Sequence, residues 1–279
     1  MDLAQYEQMQ PHVQVDGMKF FTPNQHCAWR ISSLYTKEPD TIDWIRGMKP
    51  GELLFDIGAN IGQYSVFAAH LGVKVFAFEP ESQNFMVLMR NIAFNGMFDK
   101  IMAYPFCISN ECKIEMLRLS GLQQGGSCHS FGTDMNYKGE VKQWAACQGS
   151  VSFSVDQLIE EVGMPVPDHI KIDVDGLENA VLLGMERTLH KIKSVLVEMD
   201  SAQERHMEWK RRLESEYGFE TDDAQINAAR RTEGPFSGIG NVIFFRKANV
   251  RPADNDGVAT EMRSPLGTVE AAPATSDAS

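Results

Sequence analysis

Apolar runs and amphipathic segments alternate along most of this chain. An apolar run at 52–57, broken by Asp56, leads through a glycine-containing loop into a helical pattern at 62–71, and a second apolar run follows at 73–79. Continuous apolar runs are typical of strands buried on both faces, whereas a period near 3.6 is typical of a helix. The order therefore predicts a strand, a tight loop, a helix and a parallel strand.

The same alternation continues and predicts the remaining elements. We expect short helices at 40–48 and 155–162, longer helices at 81–95, 177–190 and 202–216, and strands at 101–108, 151–155, 169–174, 194–199, 217–222 and 241–247. Five strand–helix repeats followed by two strands predict an α/β fold with a seven-stranded, mostly parallel sheet and helices on both faces.

Composition divides the chain into three parts. Residues 1–48, irregular at 1–16, form an extension and cap, and residues 49–247 hold the strand–helix repeats. Within them, 109–150 is rich in Gly, Ser and Gln and reads as an inserted, irregular substrate loop, because long irregular segments in α/β enzymes often cover the site. Residues 248–279 have few large apolar side chains and are predicted to be disordered.

The loop after the first strand indicates which ligand it can hold. Gly58 and Gly62 flank Asn60, which stands where a dinucleotide-binding G-x-G-x-x-G would have its second glycine. Asp56 precedes the loop, and an anion there repels a pyrophosphate but attracts a cation. S-adenosylmethionine carries a sulfonium, an ammonium and no phosphate, so the pattern favours it over NAD. Glu79, at the end of the second strand, is then expected to accept hydrogen bonds from the ribose hydroxyls.

Charge and cysteine content narrow the class of protein. The chain has 279 residues and a formal net charge of −12, which argues against nucleic acid and anionic membranes as partners. It has no apolar run long enough for a membrane span, and its polar N-terminus does not resemble a signal peptide. Its five cysteines form no C-x-x-C pair and suggest free thiols in the cytoplasm. No metal site is expected, and a homodimer is left open.

Charged residues also follow the fourth predicted strand. Lys171, Asp173 and Asp175 share one side of it by alternation. Three charges on a central strand are costly unless they are paired or lie at a site. We interpret Lys171 and Asp173 as an active-site pair, with a structural salt bridge at the strand end as the main alternative.

Several motifs together resemble the FkbM family of methyltransferases that use S-adenosylmethionine. They are F-D-I-G-A-N-I-G-Q-Y-S, V-F-A-F-E-P, N-I-A-F-N, H-I-K-I-D-V-D-G-L-E-N-A-V-L-L-G-M and V-L-V-E, within about residues 20–247. The resemblance implies a Rossmann-like class I methyltransferase fold and transfer of a methyl group to a hydroxyl of a sugar, polyketide or similar small molecule. The usual K-I-D-V-E-G-A-E appears at 171–178 with Asp175 and Leu177 in place of Glu and Ala, so the acid at 175 is kept in charge but shortened.

The resemblance and the position of each residue in the fold assign the expected roles. The cofactor-binding candidates are Glu38, Asp56, Gly58, Asn60, Gly62, Tyr64, Glu79, Pro80, Asn84, Cys107 and Ile108. The catalytic candidates are Lys171, Asp173, Glu198 and His129, and the hydroxyl proton is expected to go to Asp173, Glu198 or His129. Glu178 completes the motif, although an acid in the first turn of a helix is also favoured by the helix dipole.

Two other functions remain open from the sequence. A NAD(P)-dependent oxidoreductase is disfavoured by the loop and by the lack of an evident Tyr-x-x-x-Lys pair. A non-catalytic protein that binds S-adenosylmethionine is disfavoured by the presence of Lys171, Asp173 and Glu198. The acceptor molecule is not readable, because 109–150 and 223–239 carry no transferable motif.

Overall fold

A mixed sheet of six strands forms the centre of the computed structural model, which describes residues 9–234 and 236–246. From edge to edge the strands are β12 (Ile239–Phe245), β11 (Ser194–Asp200), β10 (His169–Ile172), β3 (Leu53–Ile57), β4 (Lys74–Phe78) and β5 (Ile101–Tyr104). Strand β12 is antiparallel to β11, and the other neighbours are parallel. The α/β class is as predicted.

The predicted seventh strand at 217–222 is wrong in its extent. Only Glu220 pairs there, in an isolated antiparallel bridge with Phe245. Gly218 adopts a positive φ of 70°, and the side chain of Asp222 already caps the next helix by accepting from the N–H of Ala224 at 2.8 Å. The segment between these two turns is too short for a strand.

The predicted strand at 101–108 is divided. After β5 the chain passes Pro105, and β6 (Cys107–Ile108) leaves the central sheet to pair with β9 (Ala146–Phe153). Proline lacks the N–H that a ladder requires, so the break at this residue has a local cause.

The insertion at 109–150 is not irregular. Strand β7 (Lys113–Leu119) pairs antiparallel with β9 and with β8 (Ser130–Phe131), and together with β6 they form a separate four-stranded sheet. The predicted strand at 151–155 is the end of β9. This sheet carries the loop around Gly125 and Gly126 towards the ends of the central strands.

Helices cover both faces of the central sheet, as predicted. One apolar cluster contains Leu54, Val75 and Leu88, and the other contains Phe55, Phe76 and Leu213, so neighbouring strand residues point to opposite layers. The helices are α1 (Gln25–Ser32), α2 (Pro39–Arg46), α3 (Gln63–His70), α4 (Ser82–Phe94), α5 (Val155–Glu160), α6 (Glu178–Leu183), α7 (Glu186–Leu189), α8 (Glu204–Ser215) and α9 (Asp223–Ala229).

Two smaller differences from the sequence predictions concern local geometry. Residues 12–21 form a hairpin of β1 (His12–Val15) and β2 (Met18–Phe21) instead of starting irregularly. The predicted helix at 177–190 is split into α6 and α7 at Gly184, where a Cβ would lie 2.2 Å from the carbonyl oxygen of Ser109.

No helix in the described ranges combines the length and the apolar character that crossing a bilayer requires. The predicted disordered tail at 248–279 and residue 247 of the last predicted strand lie outside the described residues.

Candidate active site

The loop between β3 and α3 packs tightly against its neighbours. Gly58 has a φ of +82°, and a Cβ there would lie 1.9 Å from the carbonyl oxygen of Asp173. Gly62 has a φ of +79°, and a Cβ there would lie 2.3 Å from Cδ1 of Leu88. Both glycines are therefore required by the backbone and by packing, and the loop brings the ends of β3 and β10 together.

Glu79 lies at the carboxyl end of β4, held by two backbone donors. The N–H of Asn60 donates to its Oε2 at 2.7 Å, and the N–H of Glu81 donates to its Oε1 at 2.9 Å. The residue is only 5% exposed. Burial raises the pKa of Glu79 to about 7, against the opposing effect of the two N–H donors. Near neutral pH this carboxyl therefore takes up or releases a proton.

Asn84 and Asn60 hold the insertion over this loop. The N–H of Gly125 donates to Oδ1 of Asn84 at 2.7 Å. The carbonyl of Gly126 accepts from Nδ2 of Asn84 at 3.0 Å and from Nδ2 of Asn60 at 2.7 Å. Nε of Arg30 donates to the carbonyl of Gly125 at 2.7 Å. The polar groups of Asn84 thus position the insertion.

A cleft opens between this loop and the second sheet. One end is polar and the other is apolar, which suits a ligand that is flat and apolar at one end. The polar part is lined by Asn60, Glu79, Asn84, Asp173 and Asp175, and the apolar part by Phe106, Cys107, Ile108, Leu117, Phe131 and Leu177.

Lys171 is buried beneath the cleft among carboxylates. Its Nζ donates to Oδ2 of Asp173 at 2.9 Å and lies 3.9 Å from Oδ1 of Asp56, while the side chain is 1% exposed. Burial lowers the pKa of Lys171, but Asp173, Asp56 and Glu38 outweigh it and raise that pKa above its usual value. Lys171 therefore remains a cation.

Asp173 is the anionic partner of that pair. Burial raises its pKa, but Lys171, Lys37 and Arg30 together outweigh burial and lower the pKa of Asp173 to about 2. An acid this strong is a poor proton acceptor near neutral pH. The geometry matches the salt-bridge alternative, although Asp173 also lines the cleft.

Asp56 lies outside the lining of the cleft. Its Oδ2 accepts from the hydroxyl of Ser65 at 2.6 Å. Burial raises the pKa of Asp56 although Lys171 opposes the shift. In this arrangement Asp56 supports the buried charge cluster, and direct contact with a ligand stays a prediction.

Glu38 connects the N-terminal extension to the carboxyl ends of the strands. Its Oε2 accepts from the hydroxyl of Tyr64 at 2.9 Å and from Nδ2 of Asn241 at 3.0 Å. Its Oε1 lies 2.7 Å from Nζ of Lys37 and 3.3 Å from Nη2 of Arg231. Burial opposes ionisation, but the cations, Lys37 above all, hold the pKa of Glu38 below its usual value.

Arg231 also binds Glu198 at the end of β11. Its Nη1 donates to Oε1 of Glu198 at 2.9 Å, and the carboxylate side chain is 14% exposed. Burial, followed by repulsion from Asp173, raises the pKa of Glu198 well above its usual value. Glu198 is thus a stronger base than Asp173 once it is ionised.

A second, smaller pocket adjoins the cleft, and Asp175 lines both. Glu178 is buried in it, and its two oxygens accept from the N–H of Gly176 at 3.1 and 3.0 Å. Burial raises the pKa of Glu178 to about 7 despite these donors. The remaining lining residues include Tyr137, Glu198, Asp200, Gln203, His206 and Phe236.

His129 lines the cleft as a hydrogen-bond donor. The N–H of Ser120 donates to its Nδ1 at 3.2 Å, so the proton of a neutral ring is on Nε2. Burial lowers the pKa of His129 to about 4, which keeps the ring neutral. Nε2 is buried with no partner in the described structure. This arrangement favours a donor to a bound ligand over a proton acceptor.

The remaining predicted contacts lie at the edge of the cleft. The carbonyl of Pro80 accepts from Nε2 of Gln148 at 2.6 Å. Cys107 and Ile108 line the apolar part, and burial raises the pKa of the Cys107 thiol to about 12. A thiol with this pKa is a small apolar wall residue and not a nucleophile.

Sequence reasoning missed Arg30, Arg231, His206, Tyr137 and Phe236. Arg30 and Arg231 act through residues far away in the chain, with Arg30 bound to Gly125 across 95 positions and Arg231 to Glu38 across 193. His206 accepts from the backbone of Asp200, six positions before it. No local pattern marks such residues. Within 9–234 and 236–246, no group of His, Cys, Asp and Glu has an arrangement that could hold a metal ion.

Residues 56–221 match the Methyltransferase FkbM domain. The chain belongs to the FkbM methyltransferase family. It is therefore an enzyme that transfers methyl groups, and the cleft at the carboxyl ends of β3, β4 and β10 is the candidate site for its methyl donor.

Two curated relatives carry activities in their names. The chain is 25% identical over 184 residues to hexuronic acid methyltransferase AglP of Haloferax volcanii, covering 65% of this chain and 70% of the relative. It is 30% identical over 162 residues to 31-O-demethyl-FK506 methyltransferase FkbM of Streptomyces tacrolimicus, covering 50% of this chain and 61% of that relative.

Similarity to solved structures is weaker. Trm5b from Pyrococcus abyssi aligns with a TM-score of 0.47 and 12% identity, over 85% of this chain and 56% of the other. A score at this level supports no conclusion about function.

Proposed function

We propose that this FkbM methyltransferase uses S-adenosylmethionine and methylates a hydroxyl group of a small molecule. The observation that carries the proposal is Glu79, a buried carboxyl at the end of β4 that faces a cleft with an apolar far end. Ribose hydroxyls would donate to the carboxylate, and the apolar part would hold the adenine.

The charge of the cleft supports this cofactor. Among the described residues that line it, none is Lys or Arg, whereas Asp173, Asp175 and Glu79 are acidic. A dinucleotide pyrophosphate would find no cation there, and a sulfonium or ammonium would be attracted. The acids and the close-packed loop thus fit S-adenosylmethionine, which supplies an electrophilic methyl group when it is bound.

The protein's own contribution to the reaction is alignment and removal of a proton. Glu198 is the proposed proton acceptor, because burial raises its pKa and Arg231 fixes its orientation. Lys171 and Asp173 form a fixed ion pair that shapes the floor of the site. His129 would donate from Nε2 to the bound cofactor.

The acceptor class follows from the relatives. Their names refer to a hexuronic acid and to an oxygen of FK506, so a hydroxylated small molecule is proposed for this chain. We also propose a class I methyltransferase arrangement with the catalytic domain at 49–247 and the extension at 1–48 contributing Glu38. A cytoplasmic location and a homodimer stay predictions.

Titration calorimetry with S-adenosylhomocysteine tests the cofactor. Wild type should bind it with micromolar affinity and should not bind NADH. Glu79→Ala should lose most of this affinity, whereas Glu208→Gln, on the exposed face of α8, should retain it. Labelled S-adenosylmethionine would then be used to screen hydroxylated compounds. Binding of NADH in place of S-adenosylhomocysteine would overturn the proposal, and cofactor binding with no turnover on any acceptor would favour a non-catalytic protein.

A further inference from the structure

The second pocket contains a buried hydrogen-bond donor with no partner. The backbone N–H of Asp200 donates to Nδ1 of His206 at 2.9 Å. A peptide N–H cannot accept, so Nδ1 carries no proton and the neutral ring carries it on Nε2. His206 is 4% exposed, and its Nε2 has no hydrogen-bond partner in the described structure.

The nearest acid does not satisfy that donor. Oε2 of Glu178 lies 3.9 Å from Nε2 of His206, which is too long for a hydrogen bond. Burial, with repulsion from Arg205, lowers the pKa of His206 to about 4, so the contact is not an ion pair near neutral pH. A buried N–H without a partner costs free energy that a ligand oxygen could recover.

Acceptors for hydrogen bonds surround this donor. Glu178, Glu198 and Asp200 line the pocket, whereas no Lys or Arg does so among its described residues. Oε1 of Glu198 accepts from Arg231 in the structure, and Oδ1 of Asp200 accepts from the N–H of Ala202 at 2.9 Å. These carboxyl groups retain lone pairs that could accept from several hydroxyls of one ligand.

Two aromatic rings close the pocket from opposite loops. Tyr137, from the insertion, and Phe236, from the loop before β12, lie with ring centroids 5.3 Å apart and planes at 26°. These two residues belong to the segments 109–150 and 223–239, which carry no transferable motif and are expected to determine the acceptor. An apolar wall beside hydrogen-bonding acids suits a ring with both C–H faces and hydroxyl edges.

We infer that this second pocket binds the methyl acceptor as a neutral polyhydroxylated ring, with His206 Nε2–H donating to one of its oxygens. The inference rests on the methyltransferase function proposed above and adds a specificity to it. A carboxylate on the ligand would stand among carboxyl groups without a lining cation, so a hexuronate should bind more weakly than the matching neutral sugar.

The test follows the imidazole nitrogens of His206 by NMR in protein saturated with S-adenosylhomocysteine, at pH 7.5. Methyl β-D-glucopyranoside and methyl β-D-glucopyranosiduronate are titrated separately, since they differ only at C6. The neutral glycoside should shift the His206 signals in a saturable manner, with at least roughly tenfold higher affinity than the uronate.

Two variants separate ligand binding from folding. His206→Asn keeps an acceptor for the Asp200 N–H but is too short to donate into the pocket. It should retain the melting temperature and the affinity for S-adenosylhomocysteine, and lose roughly tenfold in affinity for the neutral glycoside. His206→Gln, whose amide N–H₂ reaches further, should recover most of that loss.

The outcomes distinguish this inference from the proposed function. If S-adenosylhomocysteine binds and neither sugar shifts the His206 signals, or if the uronate binds as tightly as the neutral glycoside, the acceptor assignment is wrong. Failure of S-adenosylhomocysteine to bind would instead overturn the cofactor proposal.

Discussion

The carbonyl oxygen of Asp173 occupies the space that a side chain on Gly58 would need. A Cβ on Gly58 would lie 1.9 Å from that oxygen, far inside contact distance. The N–H of Asp173 also donates to the carbonyl of Ile57 at 3.1 Å, so the ends of β3 and β10 are held together where the loop begins. The first glycine of the motif is therefore explained by strand packing before any cofactor is considered.

Gly58→Ala should destabilise the protein strongly and weaken cofactor binding. The positive φ costs a non-glycine residue about 1–2 kcal/mol, and the clash with Asp173 adds roughly 1–3 kcal/mol. We expect a total loss of about 2–5 kcal/mol in the free energy of unfolding, measured with urea, and a parallel loss in affinity for S-adenosylhomocysteine.

Gly51→Ala is the matched control for this substitution. Gly51 has a φ of +88°, but a Cβ there would meet nothing within 4 Å. Gly51→Ala should lower the free energy of unfolding only by the cost of the positive φ, about 1–2 kcal/mol, and should bind S-adenosylhomocysteine with wild-type affinity. Equal losses in the two variants would show that contact with Asp173 is unimportant.

Lys171→Met should destabilise the protein at neutral pH. The substitution leaves the buried carboxylate of Asp56 and the partly exposed carboxylate of Asp173 without their shared cation, and leaving a buried charge unpaired typically costs about 3–5 kcal/mol. Because the folded-state pKa of Asp173, about 2, is below its ordinary value, the stabilisation is complete above pH 4 and is lost as the pH falls towards 2. Urea unfolding between pH 7 and pH 3 should show the gap between wild type and variant narrowing.

Lys193→Met serves as the control for loss of a lysine. Lys193 binds Glu52 at 2.7 Å and Asp168 at 2.8 Å, but its side chain is 53% exposed. Solvent screens both ion pairs, so Lys193→Met should lower the free energy of unfolding by about 1 kcal/mol or less. A loss at Lys171 no larger than this would contradict the interpretation of a buried, mutually dependent charge cluster.

Strands β3 and β4 were predictable from the sequence because their positions follow from local runs of apolar residues. Residues 53–57 and 75–78 are buried on both faces, and apart from Asp56 they are correspondingly apolar. The second sheet was missed because β9 alternates small and polar residues, such as Gln148, Gly149 and Ser150, and is stabilised by pairing with β7. Pairing between distant strands leaves a weak local pattern.

The candidate site was predictable only where it lies at the ends of neighbouring strands. Glu79 and the loop around Asn60 come together because β3 and β4 are adjacent and parallel. Arg231 and His206 could not be found, since their roles depend on tertiary contacts with Glu198 and with the Asp200 backbone. The protonation of His129 could not be read either, because the bond from the Ser120 N–H determines it.

The affinity for S-adenosylhomocysteine should fall as the pH drops below about 7. Ribose hydroxyls donate to the ionised form of Glu79, and the pKa of this carboxyl in the free protein is raised to about 7. Protonation therefore competes with binding below that pH, and the affinity should decrease by up to about tenfold per pH unit and reach a plateau above it. Calorimetry between pH 5.5 and 8.5 measures this dependence.

Glu79→Gln is the control for that titration. The amide is similar in shape and cannot ionise, so affinity should be lower by roughly 10- to 100-fold at pH 8 and nearly independent of pH. A wild-type affinity that does not change across the range, or a variant with the same slope as wild type, would show that Glu79 does not contact the ligand.

Glu198→Gln should lower the rate of methyl transfer without weakening cofactor binding. Glu198 lies outside the cofactor cleft, in the wall of the second pocket, and burial raises the pKa of its carboxyl. If it accepts the hydroxyl proton, its loss should reduce kcat by roughly 10²- to 10⁴-fold, with S-adenosylhomocysteine affinity unchanged.

Asp200→Asn removes a carboxylate from the same pocket and is the matched comparison. Labelled-methyl assays with the acceptor found by screening should show a much smaller decrease in kcat for Asp200→Asn, because only Glu198 is proposed to accept the proton. A general effect of negative charge in the pocket would instead lower kcat equally in both variants. Equal decreases would assign the effect to pocket charge, and the proton acceptor would then have to be sought at Glu178, whose pKa is raised to about 7.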